Sequence, residues 1–295
     1  MVRLVNMEQA IRAIQRDLAA GLDPAQDLSR NIIDLEHGQL LYMPSRYGDF
    51  VGAKVSTVAP DNPAIGRDRI QGIYLLMDAL TLGPLLLLDG QVLTALRTPA
   101  VSAAIGDHLA PPVVEHLVVF GSGTQAWGHV EAMRAIRAVG RVSVVGRDPR
   151  RSSRFVERLV SDGQDARVGV AADVRDAQVI VCATTSRTPV LDGSMVLEDS
   201  LAIAVGSHEP DSRELDSSLV ARAQVVVEDP SVALREAGDL LIPMSEGRFV
   251  ASTLVAMRDV ITGVVDVDRT RPRIFKSSGM PWQDLVVAAE IYRAQ

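Results

Sequence analysis

Apolar positions along the chain change their period several times, and each change marks an element. Met7, Ala10, Ile11, Ile14 and Leu18 recur at helical spacing, so an amphipathic helix is predicted over residues 7–21, with Gly21 as its stop. Residues 31–57 then read as strands: NIIDL, QLLYM and FVGAKVSTV are rich in β-branched residues and separated by turn formers. After a DNPAIG loop come two apolar runs, QGIYLLMDA and PLLLLDG, joined by LTLG. They predict a hairpin in a sheet covered on both faces, either by a helix or by a second subunit. PAVSAAIGDHLA (99–110) reads as a helix with Pro99 in its first turn.

The Pro111-Pro112 pair marks a change of character. Strand HLVVF (116–120), a glycine loop, a helix to about Ala138, strand VSVVG (142–146) and a helix over 149–160 follow in turn. Strands VIVCAT (179–184) and LAIAVG (201–206), a helix over 212–222 and strand QVVVED (224–229) continue the alternation. Short β-branched runs between helices mean β-α-β units and a parallel sheet. RIFKSSG reads as a loop, and 282–294 as a last helix that returns to the first domain. The expected class is α/β: a Rossmann dinucleotide-binding domain over 111–269 and a second α/β domain built from 1–110 and 270–295.

Composition narrows the partners. A chain of 295 residues with 47% apolar and 23% charged residues has enough core for two folded domains. The formal net charge of −7 and the absence of a long basic run disfavour nucleic acid, whose binding rests on neutralised phosphates. One cysteine, Cys182, excludes an internal disulfide and a cysteine-rich zinc site; no metal is expected, and the apolar run VIVCAT makes Cys182 a core residue. The amino-terminal segment carries charges throughout, unlike a signal peptide, and no stretch of about 18 uncharged apolar residues exists to span a membrane. The expected address is the cytoplasm.

The strongest chemical signal is VVFGSGTQA, which follows a strand and opens a helix. Gly121 permits a tight turn, Gly123 lets backbone approach a pyrophosphate, and Ala126 is small enough for close helix–strand packing. The pyrophosphate then meets free N–H groups at a helix N-terminus. At the end of the second strand, where an NAD binder places a carboxylate for the ribose, this chain has Gly146 followed by Arg147. A guanidinium there suits a 2′-phosphate, so NADPH is expected over NADH, with Asp148 pointing the other way. Arg150 is a second candidate; it and Arg151 read equally well as solvated residues of a helix start.

The motifs MPSRYGDFVGAKV (43–55), NPAIG (62–66), LTALRTPA (93–100), GSGTQA (121–126), AVGSHEPDSRELD (204–216), EAGDL (236–240) and FKSSG (275–279) occur in that order. In them the chain resembles the ornithine cyclodeaminase/mu-crystallin family over nearly its whole length. The resemblance implies a nicotinamide cofactor in the Rossmann domain, and a second domain that binds an amino or imino acid and forms a homodimer. It places Arg46, Lys54 and Arg97 in the substrate pocket. Arginines hold carboxylates through a planar fork, and a lysine beside them, its pKa lowered, suits proton transfer. The expected cofactor contacts are Thr98, the loop Gly121, Ser122, Gly123, Thr124, Gln125 and Ala126, then Arg147, Arg150, Thr184, Thr185, Val205, Gly206, Ser207, Lys276 and Ser278. Thr81 and Thr98 are weaker candidates for polar contacts to cofactor or substrate.

Two departures refine this expectation. Cyclodeaminases of the family carry an acid where this chain has His208, and another just before the Met-Pro pair, where it has Leu41. Their absence argues against ring closure with loss of ammonia and favours the ketimine reductase and alanine dehydrogenase-like branch. His208 is read either as a proton donor or as a residue shaping the nicotinamide pocket. The remaining histidines, at 37, 108, 116 and 129, read as structural. The leading expectation is NADPH-dependent reduction of the C=N bond of a small, cyclic imino acid. Alternatives are reductive amination of a keto acid, ornithine-type cyclodeamination with recycled NAD, and non-catalytic binding of NADPH or a small ligand.

Overall fold

Helix α1 (Met7–Ala19) starts at a capping box, in which the Asn6 side chain accepts from the Gln9 N–H and the Gln9 side chain accepts from the Asn6 N–H. Five strands follow as an antiparallel meander: β1 (Asn31–Leu35), β2 (Gly38–Tyr47), β3 (Phe50–Val58), β4 (Ile70–Asp78) and β5 (Pro84–Asp89). The β2–β3 turn is the two-residue Gly48-Asp49, with Gly48 at φ +55°. Pro44 is tolerated in β2 because β1 pairs only as far as Tyr42, so β2 has one neighbour there. Helix α2 (Gly90–Leu109) begins nine residues before the expected start, and Pro99 lies inside it. The cause is Asp89, whose carboxylate accepts from the N–H groups of Gln91 and Val92 at 2.8 and 3.0 Å and so caps the helix.

The second half of the chain alternates strand and helix: β6 (Val114–Phe120), α3 (Thr124–Ile136), β7 (Val139–Val145), α4 (Pro149–Ser161), β8 (Asp165–Val168), β9 (Val179–Cys182) and β10 (Leu201–Ala204). Then come α5 (Ser217–Arg222), β11 (Gln224–Val227), α6 (Pro230–Glu236), α7 (Gly238–Ser245), β12 (Val255–Ala256), α8 (Met257–Ile261) and β13 (Arg273–Lys276). The eight strands form one parallel sheet in the order β12-β11-β13-β10-β9-β6-β7-β8. The chain runs outward from β6 in one direction through β7 and β8 and in the other from β9, so the switch point that holds ligands in open α/β sheets lies at the carboxyl ends of β6 and β9.

Two elements differ from expectation. RIFK, read as a loop, is strand β13, inserted between β10 and β11 with all four residues buried. Its polar ends hide the signal, and the structure neutralises both: Arg273 pairs with Asp199 and Lys276 with Asp239. The helix expected over 212–222 shrinks to α5. Asp216 caps it by accepting from the Leu219 N–H at 2.9 Å, and the backbone of Glu214 and Leu215 is held outside it by Asp239.

The computed structural model describes residues 4–295. Residues 1–3, the start of the amino-terminal segment read above, and the Pro63 side chain within NPAIG lie outside the described residues. Packing divides the chain into two units: residues up to Val101 with Gly279–Gln295, and Ser102–Ser278. In the first unit, α9 (Pro281–Arg293) lies on the meander and against α1, burying ten of its residues from Pro281 to Ile291. It covers the sheet face that carries Met43, Lys54, Tyr74, Leu76 and Leu88. The opposite face, expected to be covered, presents Ile33, Tyr42, Val55, Ile73 and Leu87 to solvent, with Leu87 65% exposed. No helix among the described residues is long and apolar enough to cross a membrane.

Candidate functional site

In the first unit the strand register decides which charges meet. Lys54 stands opposite Tyr74 on β4 and Met43 on β2, on the face beneath α9, and is 4% exposed. Its Nζ lies 2.7 Å from Asp284 Oδ2 and 3.3 Å from Thr94 Oγ1. Arg97 on α2, equally buried, approaches the other oxygen, with Nε 3.2 Å from Asp284 Oδ1, and donates through Nη1 to Gln283. Asp284 and Gln283 sit at the start of α9, preceded by Gly279 at φ +79°. A Cβ on Gly279 would lie 3.2 Å from Arg97 Nη1, so glycine keeps the space beside that guanidinium.

Burial lowers the Lys54 pKa to about 8; Arg97 and Arg30 push it the same way, while Asp284 opposes them. Arg30 therefore belongs to this cluster, and its Nη1 reaches the Gly279 carbonyl at 3.5 Å. Arg46 does not. It pairs with Val51 on the other face of the sheet from Lys54, and is exposed. Of the threonines, Thr94 bonds Lys54; Thr98, one turn on, is half-buried, and Thr81 lies in the exposed β4–β5 turn bonded to Asp78.

In the second unit the glycine loop has the geometry its sequence demands. Gly121 adopts φ +113°, and a Cβ there would lie 2.4 Å from the Ala183 carbonyl oxygen. Gly123 is the N-cap of α3 and faces open space where a Cβ would stand. Ala126 is fully buried against the sheet, Ser122 and Gln125 are half-buried, and Thr124 is exposed. A bare, approachable helix N-terminus fits the pyrophosphate of a dinucleotide. At the end of β7, a Cβ on Gly146 would press on Ser152 Oγ at 2.5 Å, and Arg147 and Arg150 are exposed. Asp148 serves as the cap of α4, accepting from the N–H groups of Arg150 and Arg151 at 2.9 and 3.3 Å.

The loops beyond β9 and β10 are tied together by a buried acid that the sequence did not single out. Glu214 accepts from the Thr184 N–H and hydroxyl through Oε1 and from the Gly206 N–H through Oε2, each at 2.7 Å. Burial raises its pKa. Asp239 holds the Glu214 N–H at 2.7 Å and pairs with Lys276 at 2.9 Å. Lys276 is fully buried and also donates to the Ser207 carbonyl, so its ammonium fixes the loop after β10. Glu228 likewise accepts from the Ser277 hydroxyl and the Ser278 N–H. Around this frame Thr185 and His208 are exposed, Val205 is half-buried, and the Ser207 hydroxyl donates to the Ser212 carbonyl.

Other chemically suggestive groups are inert. His129 donates to the Gln125 carbonyl at 2.7 Å and meets Ser102 at 2.9 Å; burial lowers its pKa to about 4, which keeps it neutral. His116 lies between Asp176 and Ser143 in the hydrogen-bond order of a hydrolytic triad, but Ser143 is fully buried and cannot reach a substrate. The Cys182 thiol is buried in β9, which raises its pKa well above the usual value.

The chain is similar to known proteins over nearly its whole length. The model of the ornithine cyclodeaminase/mu-crystallin family matches residues 2–295. A Δ1-pyrroline-2-carboxylate reductase of Bacillus cereus is 37% identical over 267 residues, covering 87% of this chain and 82% of the relative. The structure of Thermococcus litoralis Δ1-pyrroline-2-carboxylate reductase in complex with NADH and L-proline matches with a TM-score of 0.91 at 28% identity, over 99% of this chain and 94% of that one. An archaeal alanine dehydrogenase dimer with bound NAD matches with a TM-score of 0.92 at 27% identity, over 99% and 92%. A match over nearly every residue, on a fold that bears both sites, makes this chain a member of the ornithine cyclodeaminase/mu-crystallin family.

Proposed function

We propose that the chain is a nicotinamide-dependent reductase of small cyclic imino acids of the Δ1-pyrroline-2-carboxylate type, with NADPH as its preferred donor. The observation that carries this reading is the convergence of Lys54 and Arg97 on one buried carboxylate, Asp284. Reducing a C=N bond adds a hydride to carbon and a proton to nitrogen. When bound at the Gly121–Ala126 loop, the nicotinamide cofactor supplies the hydride. Arg97, with Arg30 in the place expected of Arg46, receives the substrate carboxylate; a planar guanidinium fork fixes its orientation. Lys54 gives the proton to the imine nitrogen and is recharged from solvent. Two of its three N–H bonds are held by Asp284 and Thr94, and a pKa near 8 leaves the ammonium acidic enough to donate at neutral pH.

The preference for NADPH rests on the second strand's end. A side chain at Gly146 would meet Ser152, so the strand's end itself offers no carboxylate to an NAD ribose, and Asp148 spends Oδ1 on capping α4. His208 is proposed to shape the nicotinamide pocket, with Lys54 as the proton donor. The similarity to an alanine dehydrogenase supports a second reading, reductive amination of a keto acid. A homodimer is also proposed, with a second copy covering Ile33, Tyr42, Val55, Ile73 and Leu87; a contiguous apolar face of this kind marks an interface.

NADPH oxidation should be seen with Δ1-pyrroline-2-carboxylate and be far slower with pyruvate plus ammonia; the opposite order would establish the alanine dehydrogenase reading. Turnover of ornithine with ammonia release and no net NADPH loss would overturn both. Arg97→Ala should lower kcat/KM by about 100-fold, the loss of one charge-assisted carboxylate contact, with a raised KM. Because Lys54 must be protonated, imine reduction should fall as pH rises through about 8. Asp284→Asn removes the group that raises the Lys54 pKa, so that limb should move to lower pH. The same substitution leaves two buried cations facing each other and should cost about 3–5 kcal/mol in denaturant unfolding. Light scattering should give a dimer mass for the native chain and a monomer mass for Ile73→Glu/Leu87→Glu.

A further inference from the structure

A cavity of about 370 Å³ stands at the amino ends of the parallel strands, lined by Glu115, His116, Arg141, Arg175 and Asp176, with Leu197 as its apolar side. It belongs wholly to the second unit. The glycine loop leaves β6 at the opposite end: Glu115 and His116 lie five and six residues before Gly121, roughly 16–20 Å along a strand. The volume falls within the roughly 300–1,000 Å³ of small-molecule sites.

One side of this cavity is fixed by hydrogen bonds. His116 stands with Nε2 2.8 Å from Ser143 Oγ and Nδ1 2.9 Å from Asp176 Oδ1. Arg141, paired with His116 across β6 and β7, places Nη2 2.9 Å from Asp176 Oδ2, so both oxygens of that acid are spent. The guanidinium is not. Arg141 puts only Nη2 into these bonds, and its Nε is buried without an acceptor. Glu115 and Arg175 are exposed and have no ion-pair partner among the described residues.

Exposed charges need no partner, and on a flat surface Glu115 and Arg175 would be ordinary solvated residues. Here they border a cavity whose inner side holds an arginine short of an acceptor. A buried N–H left unpaired costs free energy, and an anion beside Arg141 supplies what it lacks. An anion alone would meet Glu115 as a like charge, and a cation alone would meet two guanidiniums. A molecule carrying both charges fits where neither does. We infer that the cavity binds a free α-amino acid as its zwitterion: Arg141 and Arg175 take the carboxylate, Glu115 takes the ammonium, and Leu197 packs on the side chain. This site is separate from the Asp284 cluster and does not depend on which reaction that cluster serves.

The test is equilibrium dialysis of radiolabelled L-proline against the full chain and against Arg175→Ala, Glu115→Gln and Arg97→Ala. Arg175→Ala and Glu115→Gln should each bind one equivalent fewer than the native chain, through an affinity at least about tenfold weaker at this site, the loss of one charge-assisted contact. Both side chains are exposed, so melting temperatures should not change. Arg97→Ala should keep the equivalent that these two variants lose. L-Proline methyl ester and N-acetyl-L-proline, each lacking one of the two charges, should compete for it at least about tenfold more weakly than L-proline. If Arg175→Ala and Glu115→Gln bind as many equivalents as the native chain, the inference fails, whatever the native number is. If N-acetyl-L-proline competes as well as L-proline, the cavity takes anions only and the zwitterion assignment is overturned. A native chain that binds a single equivalent, lost in Arg175→Ala and kept in Arg97→Ala, supports the inference and counts against a proline-type ligand at the Asp284 cluster.

Discussion

One buried carboxylate holds the first unit's chemistry together. Asp284 meets Lys54 with one oxygen and Arg97 with the other. Each of its partners comes from a different element: Lys54 from a strand, Arg97 from a helix that follows the meander, and the acid from the last helix of the chain. Burying any one of these charges alone would be prohibitive, so each is tolerated because the others are present. The same arrangement tunes reactivity. Desolvation makes the Lys54 ammonium acidic, and Asp284 keeps it from losing its proton altogether. A fully exposed lysine would stay charged at neutral pH and give up its proton too reluctantly. A lysine buried without the acid would be more acidic still.

The second unit solves a different problem with the same device. Backbone at the carboxyl ends of parallel strands must leave the sheet and remain ordered around a ligand. Glu214 gathers the loop after β9 and the loop after β10 through three short hydrogen bonds to N–H and hydroxyl groups. Asp239 then fixes Glu214, and Lys276 balances Asp239. A Cβ on Gly206 would lie 2.6 Å from Glu214 Oε1, which explains a glycine at the point where the carboxylate approaches. Loops pinned by a buried acid present fixed backbone donors, and preorganised donors bind without paying an ordering cost.

Much of this was legible in the residues. The glycine loop, the alternation after Pro111-Pro112 and the meander before it all follow from local period and turn chemistry, which act over a few residues. Lys54 and Arg97 were also visible, through the motifs that carry the family resemblance. What the local pattern hid was long range. Asp284 lies 230 residues from the lysine it charges, and nothing in QDLVV distinguishes it from a solvated helix acid. Strand β13 was hidden because Arg273 and Lys276 disguise a four-residue strand buried between two others.

The separation of Arg46 from Lys54 is the instructive case, because the information needed was present in the sequence. A two-residue turn at Gly48-Asp49 fixes the β2–β3 register, pairing Tyr47 with Phe50 and therefore Met43 with Lys54. Arg46 lies three positions from Met43, an odd number, so alternation sends it to the other face. The family resemblance grouped Arg46 with Lys54 and Arg97. Strand geometry puts it on the face away from Lys54, while Arg30, just before β1, reaches the Gly279 carbonyl. Register is thus a stronger constraint on a site than closeness in sequence. The same reasoning separates the two faces of the meander: the residues that cannot reach Lys54 are the apolar side chains on the uncovered face. One parity of the strands buries the charged cluster, and the other leaves an apolar face exposed.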